Sequence, residues 1–89
     1  MRKIVGFILH RNFEKSYTKQ SPEIKRVFAE RRNLLLIDPD HPLLNNHPLH
    51  GKWSKYRSIN ISGDIRAVFK IEGFFAIFMN IGSHSQLYR

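Results

Sequence analysis

Residues 56–81, which read YRSINISGDIRAVFKIEGFFAIFMNI, contain three strand-like segments separated by two turns. The first two segments, 56–61 and 65–71, alternate apolar and polar side chains, and this period is typical of half-buried strands. The third segment, 74–81, is almost wholly apolar, which predicts a central strand buried on both faces. Because SGD and EG are turn sequences, we expect three antiparallel strands joined by hairpins.

The preceding part of the chain predicts one more strand and two helices. The apolar run 4–9 suits a short buried strand, and Asn12 is a candidate cap for a short helix after it. Ser21 followed by Pro22 and a carboxylate is a strong start signal for a second helix, which should end by Asp38. Its predicted apolar stripe consists of Ile24, Val27, Phe28, Leu34 and Leu35.

These elements predict an α+β fold made of one small antiparallel sheet of about four strands. The N-terminal strand lies at an edge, the three hairpin-linked strands follow, and the two helices pack on one face. With 89 residues and 10.6 kDa, the chain has room for a single domain over residues 1–89.

Composition restricts the classes of function. The chain has no cysteine, which excludes a disulfide framework, a thiolate metal site and a cysteine nucleophile. The longest apolar runs are far shorter than the roughly 20 residues of a membrane span, so we expect a cytoplasmic protein. The formal net charge of +8 indicates a polyanionic partner, which could be nucleic acid, an acidic protein or an anionic membrane.

A loop rich in histidine and proline lies between the second helix and the sheet. Segment 38–51 holds three Pro, three His, two Asp and two Asn, and long loops in small domains are often functional. Histidine exchanges protons near neutral pH, so the loop histidines and His84 are candidates for proton transfer. The ordinary alternative is a solvated loop histidine. His47 and His50 could pair as metal ligands, but without cysteine or a second pair we expect no metal site.

Cationic and polar side chains collect around the predicted sheet. Arg57 and Arg66 lie on neighbouring strands, and Lys52 and Lys55 precede them, so a cationic strip beside the loop is expected unless these residues only form a solvated face.

Ser58 and Asn60 are two residues apart on a predicted strand, so their side chains share one face of the sheet. The hairpin after them brings Asp64 and Arg66 near. Trp53 precedes the sheet, and we interpret it as a core anchor rather than a stacking platform.

Four motifs occur in order from residue 46 to the end of the chain: NHPLHGKW at 46–53, YR at 56–57, GDIRAVF at 63–69 and IGSHSQLY at 81–88. Together they resemble the RelE/ParE toxin superfamily and, within it, the YafQ-like branch of messenger-RNA interferases. The N-terminal half is similar only in its order of elements, a strand and then a helix pair.

The resemblance implies a bacterial toxin of a type II toxin-antitoxin system with a RelE-like fold. Such a toxin is a metal-independent endoribonuclease that cleaves messenger RNA, often on the ribosome, and a cognate antitoxin holds it inactive. It implies no cofactor and no membrane partner. The implied catalytic residues are His47, Asp64, Arg66, His84 and Tyr88, with Arg57 and Arg66 as phosphate clamps. For an RNA substrate we expect RNA-binding roles for His50, Lys52, Lys55, Arg57 and Asn60.

The chain departs from the YafQ-like pattern at two positions. Ser58 and Asn60 stand where the pattern has an acidic residue and a histidine, so proton transfer falls to His47 and His84, with Asp64 orienting a histidine or acting as the base. The second functional hypothesis is a non-catalytic module, either a gyrase inhibitor of the ParE type or an inactive toxin-fold protein that binds antitoxin and nucleic acid.

Overall fold

The computed structural model describes residues 3–88, which form a five-stranded sheet, three α-helices and two short 3₁₀ turns. None of these helices is long and apolar enough to cross a bilayer. The elements are β1 (Gly6–Leu9), α1 (Arg11–Thr18), α2 (Pro22–Ile37), the first 3₁₀ turn (Pro42–Leu44), β2 (His47–Pro48), the second 3₁₀ turn (Gly51–Trp53), β3 (Arg57–Ser62), β4 (Ile65–Glu72), β5 (Phe75–Ser83) and α3 (His84–Leu87).

The strand order is β1-β5-β4-β3-β2, which confirms the α+β fold, the hairpin-linked strands and the edge position of the N-terminal strand. The sheet is mixed rather than wholly antiparallel, because β1 runs parallel to β5. The long connection between β1 and β5, which contains two helices, permits this parallel pairing. The predicted loop also contributes a fifth strand, since His47 and Pro48 pair with Ser58 and Arg57.

The prediction that β5 is buried on both faces is wrong. Ala76 and Phe78 are fully buried, whereas Phe75 is exposed and Ile77 and Met79 are half-buried. The reason is that α1 and α2 cover only one face of the sheet, so the apolar run alternates in burial despite its uniform composition.

Aromatic rings from both helices and two strands form the centre of the core. Phe13 of α1 lies 4.9 Å from Phe28 of α2 between ring centroids, and Phe28 lies 5.1 Å from Phe78 of β5. Phe69 of β4 joins them at 5.5 Å from Phe78. Phe28 and Leu35 are buried, as the predicted helical stripe requires.

The sequence predicted the N-terminal cap of α2 correctly but not that of α1. Ser21 caps α2 as expected, and its hydroxyl accepts from the Ile24 amide at 3.2 Å. For α1 the cap is His10 rather than Asn12, because the His10 backbone is extended and its Nδ1 accepts from the Asn12 amide at 3.1 Å. A histidine ring nitrogen thus does the work that we assigned to an Asn side chain.

Replacing Phe28 with alanine should lower the free energy of unfolding by about 3–5 kcal/mol, because it leaves a cavity at the centre of the aromatic cluster. Urea denaturation followed by circular dichroism measures this loss. Ile37→Ala is the control, since Ile37 is 82% exposed and its truncation should change stability little. Equal losses in the two variants would contradict the assignment of Phe28 to the core.

The face of the sheet opposite α1 and α2, here called the site face, carries Ser58 and Asn60 of β3. Val68 and Arg66 of β4 pair directly opposite them and therefore share that face. The intervening residues, such as Ile59, point into the core. Strand alternation thus places Ser58, Asn60 and Arg66 on the same face of the sheet.

Candidate active site

A cavity of about 290 Å³ lies between the loop before β3 and the start of α3. Its lining comes from three separate parts of the chain, and it includes four of the five residues that the resemblance implies are catalytic. The lining residues are Asn45, His47, Leu49, Arg66, His84 and Tyr88.

The tautomer of His47 follows from its hydrogen bond. Its Nδ1 lies 2.7 Å from the backbone carbonyl oxygen of Asn45. A carbonyl can only accept, so Nδ1 carries the proton, and in the neutral ring Nε2 keeps its lone pair. Asn45 adopts a left-handed conformation (φ 44°, ψ 47°), which asparagine tolerates better than most residues. His47 therefore presents an acceptor nitrogen.

A capping box fixes the short C-terminal helix that carries His84. The Ser83 hydroxyl accepts from the Gln86 amide at 3.3 Å, and the Gln86 side chain accepts from the Ser83 amide at 2.8 Å. His84 is exposed, and its ring meets that of Tyr88 edge to face with centroids 4.8 Å apart. The four-residue spacing puts both rings on one side of the turn.

Arg66 supplies the positive charge of the cavity. Asn60 lies opposite it in the β3–β4 register, and the Asn60 side-chain carbonyl accepts from Arg66 Nη1 at 2.8 Å. The predicted convergence of Asn60 and Arg66 on one face is thus confirmed. Arg66 Nε is buried and has no hydrogen-bond partner among residues 3–88, and the same holds for the Tyr88 hydroxyl. Both groups are therefore donors that the described chain leaves unpaired.

Removing the side chain of Asn60 should remove the hydrogen bond that holds Arg66 without unfolding the protein. A hydrogen bond to a charged group contributes about 1.5–3 kcal/mol, so Asn60→Ala should reduce an activity that depends on Arg66 by about tenfold or more. The thermal unfolding midpoint should stay near that of the wild type. An unchanged activity would show that Arg66 does not need this support.

The two predicted phosphate clamps do not share a face of the sheet, and this corrects the expected cationic strip. Arg57 pairs with the core residue Phe69, whereas Arg66 pairs with Asn60 on the site face. Arg57 Nε donates to the Asn46 side-chain oxygen at 2.8 Å. Arg57 therefore ties the loop to β3, and Arg66 alone serves the cavity.

Asp64 lies outside the lining of the cavity. It is exposed in the β3–β4 turn, next to Ile65, which pairs with Ser83. Among residues 3–88 no hydrogen bond joins Asp64 to a histidine, so the structure gives no support to its role as an orienting group. Its register position still places it at the end of the sheet from which His84 emerges.

The predicted RNA-binding residues of the loop do not line the cavity. His50, Lys52 and Lys55 are all exposed in the segment between β2 and β3. Lys52 Nζ lies 5.3 Å from the ring centroid of Trp53. No group of three His, Asp or Glu side chains within residues 3–88 converges in the manner of a metal site.

Sequence reasoning missed two asparagines that shape the loop. The backbone carbonyl of Asn45 accepts from His47, and the side-chain oxygen of Asn46 accepts from Arg57. The doublet itself was a usable signal, since Asn favours turns and left-handed backbone. Trp53 was also misjudged. It lies outside the core cluster and is half-buried against Tyr56 and Tyr88, at ring-centroid distances of 6.1 and 6.2 Å.

A comparison of the sequence with models of protein families finds a match. The family model described as a bacterial toxin of the type II toxin-antitoxin system, YafQ, matches residues 8–89. Among curated proteins none matches the chain.

Solved structures share the fold. YafQ from E. coli strain BL21(DE3) is 18% identical with a TM-score of 0.77, covering 93% of this chain and 97% of its own. The E. coli DinJ-YafQ toxin-antitoxin complex gives 18% identity and 0.74, covering 93% and 96%. A conserved hypothetical protein from Helicobacter pylori is 27% identical with a TM-score of 0.66, covering 96% of this chain and 100% of its own. The expected RelE-like fold is therefore confirmed.

Proposed function

The chain belongs to the YafQ family of toxins from type II toxin-antitoxin systems, and from that premise we propose that it is an endoribonuclease that cleaves messenger RNA. One observation carries the proposal: two histidines, a guanidinium with an unpaired buried Nε and a tyrosine ring surround one cavity. These are the groups that RNA cleavage through the 2′-hydroxyl requires, and they need no metal ion.

In the proposed reaction the 2′-oxygen of one nucleotide attacks the phosphorus that links it to the next. Nε2 of His47 removes the proton of the 2′-hydroxyl, because its lone pair is free when Nδ1 donates to the Asn45 carbonyl. The bond between phosphorus and the 5′-oxygen breaks, and protonated His84 gives that oxygen its proton. The products are a 2′,3′-cyclic phosphate and a 5′-hydroxyl end, so atoms and charges balance.

Arg66 stabilises the negative charge that grows on the phosphate oxygens during this step. Asn60 holds one of its terminal nitrogens, which leaves Nε and the other terminal nitrogen to engage a phosphate oxygen pair. A guanidinium stays charged throughout the reaction, so its contribution does not depend on proton transfer. The buried Tyr88 hydroxyl is a further donor beside the same phosphate.

Charge supports the assignment of partners. At +8 the protein is attracted to RNA, and Lys52 and Lys55, which are exposed in the segment before β3, would contact the RNA backbone. We propose ribosome-bound messenger RNA as the substrate and a cognate antitoxin as the inhibitor. An acidic antitoxin segment would complement the same charge, and the DinJ-YafQ complex supports this pairing.

A non-catalytic function is the second candidate, and the site face is the observation that favours it. Ser58 and Asn60, the two β3 residues beside Arg66, cannot transfer protons at neutral pH. A protein that only binds gyrase, nucleic acid or an antitoxin would tolerate this loss.

Primer extension on a reporter message in a translating extract separates the two candidates. We expect discrete new RNA ends with the wild-type protein in the presence of a chelator, and none with His84→Gln at the same concentration. Intact message with both folded proteins would favour the binding module and make gyrase inhibition the next assay.

A further inference from the structure

A second cavity, of about 230 Å³, adjoins the candidate active site through Tyr88, which lines both. We call it the aromatic cavity. Trp53 and Tyr56, from the segment before β3, form its aromatic wall with Tyr88. Its polar lining comes from Asn12 of α1 and Asn80 of β5, which lie far from the loop in sequence.

The aromatic wall offers ring surfaces at different angles. The Trp53 ring is inclined by 60° to Tyr56 and by 72° to Tyr88. A flat ligand stacked on one of these rings therefore meets the edges of the other two, and such mixed contacts suit aromatic ligands. Lys52 Nζ lies 5.3 Å from the centroid of the same indole ring, so a positive charge lies near the aromatic wall.

Hydrogen-bonding groups in the lining are left unused. The Asn80 side-chain oxygen accepts from the Ser16 hydroxyl and the Ile81 amide, but its NH₂ group makes no hydrogen bond within residues 3–88. Asn12 also takes part in hydrogen bonds only through its backbone within the described chain. An aliphatic ligand would leave these donors unsatisfied, whereas a heterocycle with polar edges would pair with them.

We propose that the aromatic cavity binds the nucleobase of a nucleotide that flanks the scissile phosphate, an inference that rests on the proposed function. The cavity is smaller than the roughly 300 Å³ at which sites for drug-sized ligands begin, so it suits one base rather than a whole nucleotide. Because Tyr88 borders both cavities, a phosphate at Arg66 and a base against Trp53 belong to adjacent parts of one RNA chain. Purines should bind better than pyrimidines, since their rings overlap more of the indole.

The fluorescence of Trp53, the single tryptophan of the chain, reports on this site without any reaction. The probe is a pentamer of 2′-deoxyadenylate, which has no 2′-hydroxyl and is not cleaved, compared with a pentamer of five abasic nucleotides of equal charge. The intact pentamer should quench the fluorescence and bind about tenfold more tightly or better, as base stacking on an aromatic ring implies. Deoxycytidylate should lie between the two. Equal binding and quenching by the intact and abasic pentamers would overturn the proposal.

Variants separate the cavity from its surroundings. Met79→Phe should fill the aromatic cavity, and Tyr56→Leu should remove one of its walls. Either variant, once its thermal unfolding matches the wild type, should lose most of the preference for the intact pentamer, and retention of that preference in both would overturn the assignment. Lys55→Ala is the matched control, which should weaken both pentamers equally because Lys55 lies outside the cavity.

His84→Gln distinguishes failure of this inference from failure of the proposed function. The variant should bind the intact pentamer with the wild-type preference, because His84 does not line the aromatic cavity. A base preference in a wild-type protein that cleaves no RNA would leave the base site standing and contradict the enzymatic proposal. Cleavage by a protein that shows no base preference would do the reverse.

Discussion

Substitution of His84 by glutamine is expected to lower the rate of messenger-RNA cleavage by about two to four orders of magnitude. Glutamine keeps the polarity and much of the size of histidine, but it cannot give a proton to the leaving 5′-oxygen. The fold should persist, since His84 is exposed and the capping box of α3 is formed by Ser83 and Gln86. Initial rates on ribosomes programmed with a defined message measure the effect.

His50→Gln is the matched control for this substitution. His50 is exposed in the same neighbourhood but does not line the cavity, so its loss should affect RNA affinity and leave the rate at saturating ribosomes nearly unchanged. Comparable rates for His84→Gln and the wild type would remove His84 from the reaction.

Arg66→Lys is the second substitution with a large expected effect, although it conserves charge. Lysine cannot keep the bond to Asn60 and at the same time present two nitrogens to a phosphate. Loss of one such donor in a catalytic site costs about 10²–10³ in rate. Measurements at saturating substrate should show the loss in kcat as well as in kcat/KM, because the phosphate charge grows in the transition state.

Arg57→Lys tests the separation of the two arginines. Arg57 faces the core side of the sheet and holds Asn46, so we expect a lower unfolding midpoint and a cleavage rate within a few-fold of the wild type. If Arg57→Lys abolished cleavage in a folded protein and Arg66→Lys did not, the placement of the phosphate at Arg66 would be wrong.

Hydropathy patterns predicted the sheet well and the pairing direction poorly. The alternation in 56–61 and 65–71 correctly gave the β3–β4 hairpin, and Ser21 with Pro22 correctly gave the start of α2. No local pattern states which strand β1 pairs with, since that choice depends on packing of the connecting helices. Arg57 and Ile59 are two residues apart on one strand, so the sequence already implied that Arg57 lies on the core side of the sheet.

The candidate site, like the fold, could be predicted from the sequence only in part. The resemblance brought together His47, Arg66, His84 and Tyr88, and all four line one cavity. It did not bring in Asn45, whose carbonyl sets the tautomer of His47, because that role depends on one left-handed residue. Nor could sequence place Trp53 beside Asn80, since contacts between distant segments leave no trace in local spacing.

In the proposed reaction, RNA is cleaved in the cavity by attack of a 2′-hydroxyl on the adjacent phosphate. The most direct measurement uses a ribosome-bound message with a single 2′-deoxy substitution at the cleaved nucleotide, with product ends read by mass spectrometry. We predict a 2′,3′-cyclic phosphate and a 5′-hydroxyl from the unmodified message, and no cleavage at the substituted position. Cleavage at the 2′-deoxy nucleotide, or products with a 5′-phosphate, would contradict this mechanism.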